Sequence, residues 1–143
     1  PQPKAMNYAV FLDDVNEFNG PIAFIPGSHR QGELESEAEV LPGITPLHTM
    51  SSETIATLAE ENGIVSPKGP AGSAVFFHSC MAHTSGPNIS PWPRNIVYLT
   101  CNRTDNFIRT PTRPYYYAAH DFEPISTLPD DCLTKDICTR PAT

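Results

Sequence analysis

Two of the five histidines in this 143-residue sequence, His78 and His83, stand where a strand-like run passes into a loop of glycine, proline and serine. Eleven residues after His83, Arg94 opens the next apolar run. These residue types in this order suit one kind of chemistry. An iron(II) centre that activates dioxygen is commonly held by two histidines and one carboxylate, which leaves positions open for a chelating keto acid and for oxygen. The far carboxylate of such an acid needs a fixed cation, and the planar fork of arginine offers two parallel charge-assisted hydrogen bonds. A histidine at one strand end and an arginine at the start of the adjacent strand meet both demands.

The elements that must position these residues are short. Ala5 to Leu12 (AMNYAVFL) is a mostly apolar run, expected to be a strand buried on both faces, with Asp13-Asp14 as its exit. Asn19-Gly20-Pro21 turns the chain into a second strand, Ile22 to Ile25, so a hairpin is expected, closed by Pro26-Gly27-Ser28-His29. Residues 30–50 are acid-rich, with little apolar periodicity, and read as an exposed excursion. Ser52 to Glu61 has the cap, the acid in its first turn and the Asn62-Gly63 stop of a short helix, with Ile55, Leu58 and Ala59 on one face. Ser73 to Phe77 and Asn95 to Cys101 are two further strands. Sixteen prolines divide these runs, and the pattern predicts a mainly β fold, an antiparallel sandwich or jelly-roll with one helix.

The length suits one domain, and a 39% hydrophobic content can supply its core. A net charge of -7 and the lack of a Lys/Arg cluster argue against nucleic acid as a partner. No apolar run approaches the roughly 20 residues that cross a bilayer, and the first residues lack the pattern of a signal peptide, so a cytoplasmic protein without membrane association is expected. Cys80, Cys101, Cys132 and Cys138 form no CxxC pair and read as free thiols.

Two blocks, FNGPIAFIPGSHR (Phe18 to Arg30) and GIVSPKGPAGSAVFFHSCMAHTSGPNISPWPR (Gly63 to Arg94), resemble the corresponding segments of the phytanoyl-CoA dioxygenase family, especially its ectoine hydroxylases. The resemblance covers roughly the first hundred residues and weakens after Asn102. It implies the C-terminal portion of a double-stranded β-helix, residues 1–128, with a weakly ordered tail over 129–143. Its cofactors would be Fe(II) and 2-oxoglutarate. The intact enzyme would hydroxylate an unactivated C–H bond of a small organic substrate with dioxygen, and 2-oxoglutarate would be decarboxylated to succinate. Carried across, His83 matches the distal iron ligand and Arg94 the partner of the 2-oxoglutarate carboxylate. Asn7 and Ser85 fall where the family places polar side chains near that cosubstrate. Strand alternation puts Tyr98 on the face of Arg94, where an aromatic borders the substrate.

One departure is plain. The family's other two ligands form a His-x-Asp pair upstream of the segment matched here, and neither His-x-Asp nor His-x-Glu occurs in this sequence. The chain therefore reads as a fragment whose partner is the N-terminal half of its own domain. Two rivals stand beside a hydroxylase: a halogenase that replaces the carboxylate ligand, and a jelly-roll binding module that lost its metal. For His29, His48 and His120 the ordinary reading is a hydrogen-bonded core or surface residue, with His29 capping the PGSH turn. His78 reads as a structural or supporting residue, and Trp92 as a packing anchor. The cluster Tyr115-Tyr116-Tyr117 reads as core or fragment interface, and Phe122 as packing back onto the body.

Overall fold

The run from Ala5 forms strand β1 (Ala5–Phe11) in the computed structural model, which describes residues 4–32, 34–39, 47–106, 109–110 and 123–129. The strands that follow are β2 (Ile22–Phe24), β3 (Glu37–Glu39) and β4 (Leu47–Thr49). Helix α1 (Ser52–Asn62) then precedes β5 (Ala74–His78), β6 (His83–Ser85) and β7 (Ile96–Asn102). The chain separates into two units, Pro1–Asn106 and Phe107–Thr143, and every described strand and the helix belong to the first. The readings of Tyr115 to Tyr117, His120, Phe122, Cys132, Cys138 and the tail beyond Pro129 lie outside the described residues.

Strand β1 is the centre of a three-stranded antiparallel sheet in the order β5-β1-β7. Its alternation separates two faces. Ala9 and Phe11 are buried, whereas Met6 on the other face is 38% exposed, so the strand is covered on one side and not on both as the apolar run suggests. The register places Asn7 between Phe77 and Thr100, Ala9 between Val75 and Tyr98, and Phe11 beside Ile96. Directly opposed residues share a face, so these eight side chains line one wall.

The expected hairpin between the first two strands does not form. β2 pairs instead with β6, with Ile22 opposite Ser85 and Phe24 opposite His83. Ile22 and Phe24 bury themselves with Ala9 and Phe77, so the inner face of this two-stranded sheet meets the inner wall of the larger one. Val75, Met81 and Ile96 pack against the same cluster. Phe24 and Phe77 meet edge to face with centroids 4.8 Å apart, and each large apolar side chain buried here contributes about 1.5–3 kcal/mol. This is the facing-sheet arrangement of a jelly-roll.

Between β1 and β2 the chain makes a turn centred on Asn19, which is fully buried. Its Nδ2 donates to the Asp14 carbonyl (2.8 Å) and the Pro93 carbonyl (3.2 Å), and its Oδ1 accepts from Asn16 N–H (2.9 Å). Gly20 follows at φ +74°, with an added Cβ only 2.5 Å from the Gly86 carbonyl oxygen, so both its backbone angle and its surroundings require glycine.

The helix forms as its sequence predicts. Ser51 caps it by accepting from Thr54 N–H at 3.1 Å, and Gly63 ends it at φ 71°. Leu58 is its buried residue and packs with Ile25 and Ala82, while Ile55 is 39% exposed. The acidic excursion contains a short antiparallel ladder, β3 with β4.

Candidate active site

His83 and Arg94 do not occupy neighbouring strands. β6 lies in the two-stranded sheet, and Arg94 precedes β7 of the larger one by two residues, so the pair comes from opposite walls. The difference arises because β6 takes β2 as its partner. Residues on facing walls can enclose a ligand that neighbours in one sheet only flank.

The His83 ring rests on two aromatic side chains, with centroids 5.2 Å from Phe77 and 6.0 Å from Phe24. Its Nδ1 lies 2.8 Å from the Met81 carbonyl oxygen. A carbonyl can only accept, so Nδ1 carries the proton, and a neutral imidazole then presents the lone pair on Nε2. That is the tautomer and the support through which histidine binds a metal. The strand itself is held from Ser28, fully buried, whose Oγ accepts from Ala82 N–H at 2.9 Å and donates to Met81 Sδ at 3.5 Å. It is Ser28 that ties down the PGSH turn, while His29 leaves the expected capping role and lies beside His78, their rings tilted with centroids 5.1 Å apart.

Arg94 is half-buried, and its Nε is shielded from solvent with no hydrogen-bond partner among the described residues. The described ion pairs, Lys4–Asp105 and Arg103–Asp105, do not involve it. Its charge is felt by Tyr98: burial pushes the Tyr98 phenol above its ordinary range, and the Arg94 cation draws it part of the way back. Tyr98 pairs with Ala9 in register, which places it on the inner wall beside Asn7 and Thr100. The Thr100 hydroxyl donates to Asn7 Oδ1 at 2.7 Å, leaving the amide NH2 as the remaining donor of Asn7. Ser85 follows His83 at strand spacing and so shares its face.

The five residues named from the sequence thus fall on the inner faces of two sheets, His83 and Ser85 on one, Asn7, Tyr98 and the Arg94 segment on the other. The sequence reading missed how Arg94 is held. Asn95 N–H and Nδ2 both donate to Asp13 Oδ2, at 2.7 and 2.8 Å, and Pro93 is held by Asn19. Asp13-Asp14 and Asn19-Gly20 carry the visible signal, a cluster of turn-forming residues, but not its target. Trp92 is 53% exposed and is no packing anchor; its carbonyl accepts from Asn88 Nδ2 at 2.7 Å.

Among the described residues no three His, Cys, Asp or Glu side chains converge to hold a metal ion. For iron, then, the chain fits as the donor of one imidazole, and for a dicarboxylate cosubstrate it offers a shielded cation lacking an internal anion. A cavity of about 900 Å³ lies elsewhere, bordered by Leu34, Glu35, Glu37, Met50 and Thr54. Its lining brings carboxylates and no cation, so it does not suit that ligand.

The facing antiparallel sheets define the class, a mainly β fold of the double-stranded β-helix type. The chain belongs to the phytanoyl-CoA dioxygenase (PhyH) family, whose profile matches residues 1–96. It is 35% identical to the L-proline trans-4-hydroxylase of Streptomyces griseoviridis, over 92% of this chain and 53% of that protein. It is 37% identical to the ectoine dioxygenase of Bordetella parapertussis, over 78% of this chain and 38% of the relative. Among solved structures it superposes on EctD from S. alaskensis with bound Fe at a TM-score of 0.69, with 30% identity over 87% of this chain and 41% of the other. The same protein with 2-oxoglutarate and 5-hydroxyectoine matches at 0.66, with 31% identity over 83% and 40% of the two chains. The chain thus spans about half or less of the length of these relatives.

Proposed function

We propose that the intact enzyme containing this chain is an iron(II)- and 2-oxoglutarate-dependent hydroxylase of a small organic substrate. The observation that supports this most is the shielded Arg94 Nε with no hydrogen-bond partner among the described residues, on the wall facing a histidine whose Nδ1 is turned to a backbone carbonyl. In the balanced reaction 2-oxoglutarate, dioxygen and R–H become succinate, carbon dioxide and R–OH. Iron, when bound, supplies the dioxygen chemistry, with 2-oxoglutarate as the reductant.

This chain's residues bind and orient. His83 supplies one ligand, and two further ligands come from outside these residues. Arg94 pairs with the distal carboxylate of 2-oxoglutarate through its fork. The Asn7 amide and the Ser85 hydroxyl are placed to hydrogen-bond the same cosubstrate. Tyr98 borders the organic substrate and presents it a phenol donor. Phe24 and Phe77 form the apolar floor under His83.

The test is turnover by the intact, iron-loaded enzyme offered L-proline or ectoine, the compounds named for its relatives. Succinate and hydroxylated product should appear in equal amounts, and His83→Ala should abolish both together with bound iron. A His83→Ala enzyme that keeps its iron and its turnover overturns the reading.

A further inference from the structure

Arg94 lies in a stretch that no ladder can hold, because Pro91 and Pro93 carry no backbone N–H and β7 begins only at Ile96. The chain on both sides of it is nevertheless fixed, by one turn. The Pro93 carbonyl accepts from Asn19 Nδ2 at 3.2 Å. Asn95 donates twice to Asp13 Oδ2, and its carbonyl accepts from Leu12 N–H at 2.9 Å. The turn is itself anchored at its far side, where Asp14 Oδ1 accepts from Ala71 N–H at 2.8 Å and Val15 bridges to Gly69. It also touches the loop after β6, through Ile89 N–H donating to the Phe18 carbonyl at 3.1 Å. One ten-residue connection thus links the wall bearing Arg94 to the loop leaving His83.

We propose that Asp13 and Asn19 are positioning residues for Arg94, clamping the peptide units before and after it so that the guanidinium is aimed at the cosubstrate before the cosubstrate arrives. The inference rests on the reading of Arg94 as the 2-oxoglutarate anchor. The physical reason is preorganisation: an arginine on a free proline-rich loop must be ordered on binding, whereas a clamped one has already been ordered by folding. Asp13 suits the task because a single carboxylate oxygen takes both Asn95 donors, and charge-assisted bonds to N–H groups are the stronger kind.

The experiment uses the intact, iron-loaded enzyme and four variants: Asp13→Ala, Asp13→Asn, Asn95→Ala and Arg94→Lys. For each, 2-oxoglutarate binding is measured by calorimetry, the KM for 2-oxoglutarate and for the organic substrate by succinate release, and the folded state by its melting temperature. Asp13→Ala should weaken 2-oxoglutarate binding roughly tenfold, in keeping with the cost of a slight misplacement, and leave the KM for the organic substrate unchanged. Asp13→Asn keeps an acceptor and should recover most of that loss. Asn95→Ala removes one of the two donors and should cost roughly threefold, which keeps the idea testable where Asp13→Ala does not fold. Normal 2-oxoglutarate affinity in the folded Asp13→Ala or Asn95→Ala enzyme, beside a weakened Arg94→Lys, overturns the positioning role alone. An unaffected Arg94→Lys overturns the anchor and the positioning role with it. Equal losses for both substrates overturn the positioning role in favour of a purely structural one.

Discussion

Arg94→Lys isolates the fork from the charge. Lysine keeps the cation but offers a compact ammonium that cannot make two parallel bonds to one carboxylate. A hydrogen bond to a charged group contributes about 1.5–3 kcal/mol, and 1.4 kcal/mol is a factor of ten, so losing one of the pair should weaken 2-oxoglutarate binding by roughly 10- to 150-fold. The surroundings argue for the whole of that loss. No described carboxylate holds Arg94, so among the described residues no ion pair has to break when 2-oxoglutarate binds. The same substitution removes a shielded N–H that has no partner among the described residues, so the folded protein should be no less stable and its melting temperature should hold or rise. Succinate release is followed against 2-oxoglutarate at saturating organic substrate, then against the organic substrate at saturating 2-oxoglutarate. A rise confined to the first series is expected. A KM for 2-oxoglutarate within a factor of about three of the parent enzyme would refute the reasoning, because no single charge-assisted bond is that weak.

Three further outcomes follow from the geometry. In a spectrophotometric titration Tyr98 should ionise above the ordinary tyrosine range, and Arg94→Gln should raise it further by removing the cation that lowers it; an unmoved titration refutes their proximity. Because the folded-state value is raised, the stability Tyr98 brings is complete below the unfolded-state range and is lost as pH climbs through the folded one, so Tyr98→Phe should flatten the alkaline limb of a stability curve. Gly20→Ala should cost clearly more than Gly72→Ala in urea unfolding: both have positive φ, a strain of about 1–3 kcal/mol, but only at Gly20 does the new methyl meet backbone, and equal costs would mean the Gly86 carbonyl yields freely. Ser28→Ala strands the buried Ala82 N–H beside His83 and should cost about 1–3 kcal/mol together with some loss of iron affinity; unchanged iron binding would show that Met81 alone fixes the imidazole.

The local elements were legible where local chemistry decides them. Ala5 to Phe11, Ala74 to His78 and Ile96 to Asn102 are apolar or β-branched runs between turn residues, and the helix carries its own cap and stop. What local sequence does not encode is choice of partner. Asn19-Gly20-Pro21 reads as a hairpin turn, yet Asn19 spends its amide on the carbonyl of Pro93, 74 residues away, and so carries the chain across to the other sheet. For the same reason His83 and Arg94 were legible as chemical groups through the long blocks around them, while their placement on facing walls was not. The shielding of Arg94 Nε and the Nδ1–carbonyl bond of His83 depend on neighbours brought together only by folding.

The position of β1 in the middle of its sheet also bears on how the chain is made. Strand β1 needs β5 on one edge and β7 on the other, and the latter starts 85 residues after β1 ends. At about 5–20 residues per second this leaves Ala5 to Phe11 with an unpaired edge for several seconds. An apolar strand with open edges is a template for pairing with any other chain. Slower elongation lengthens that exposure in proportion, so the soluble yield of this region should respond to synonymous codon changes between Ile22 and Ile96 that leave its sequence, and its stability once folded, untouched.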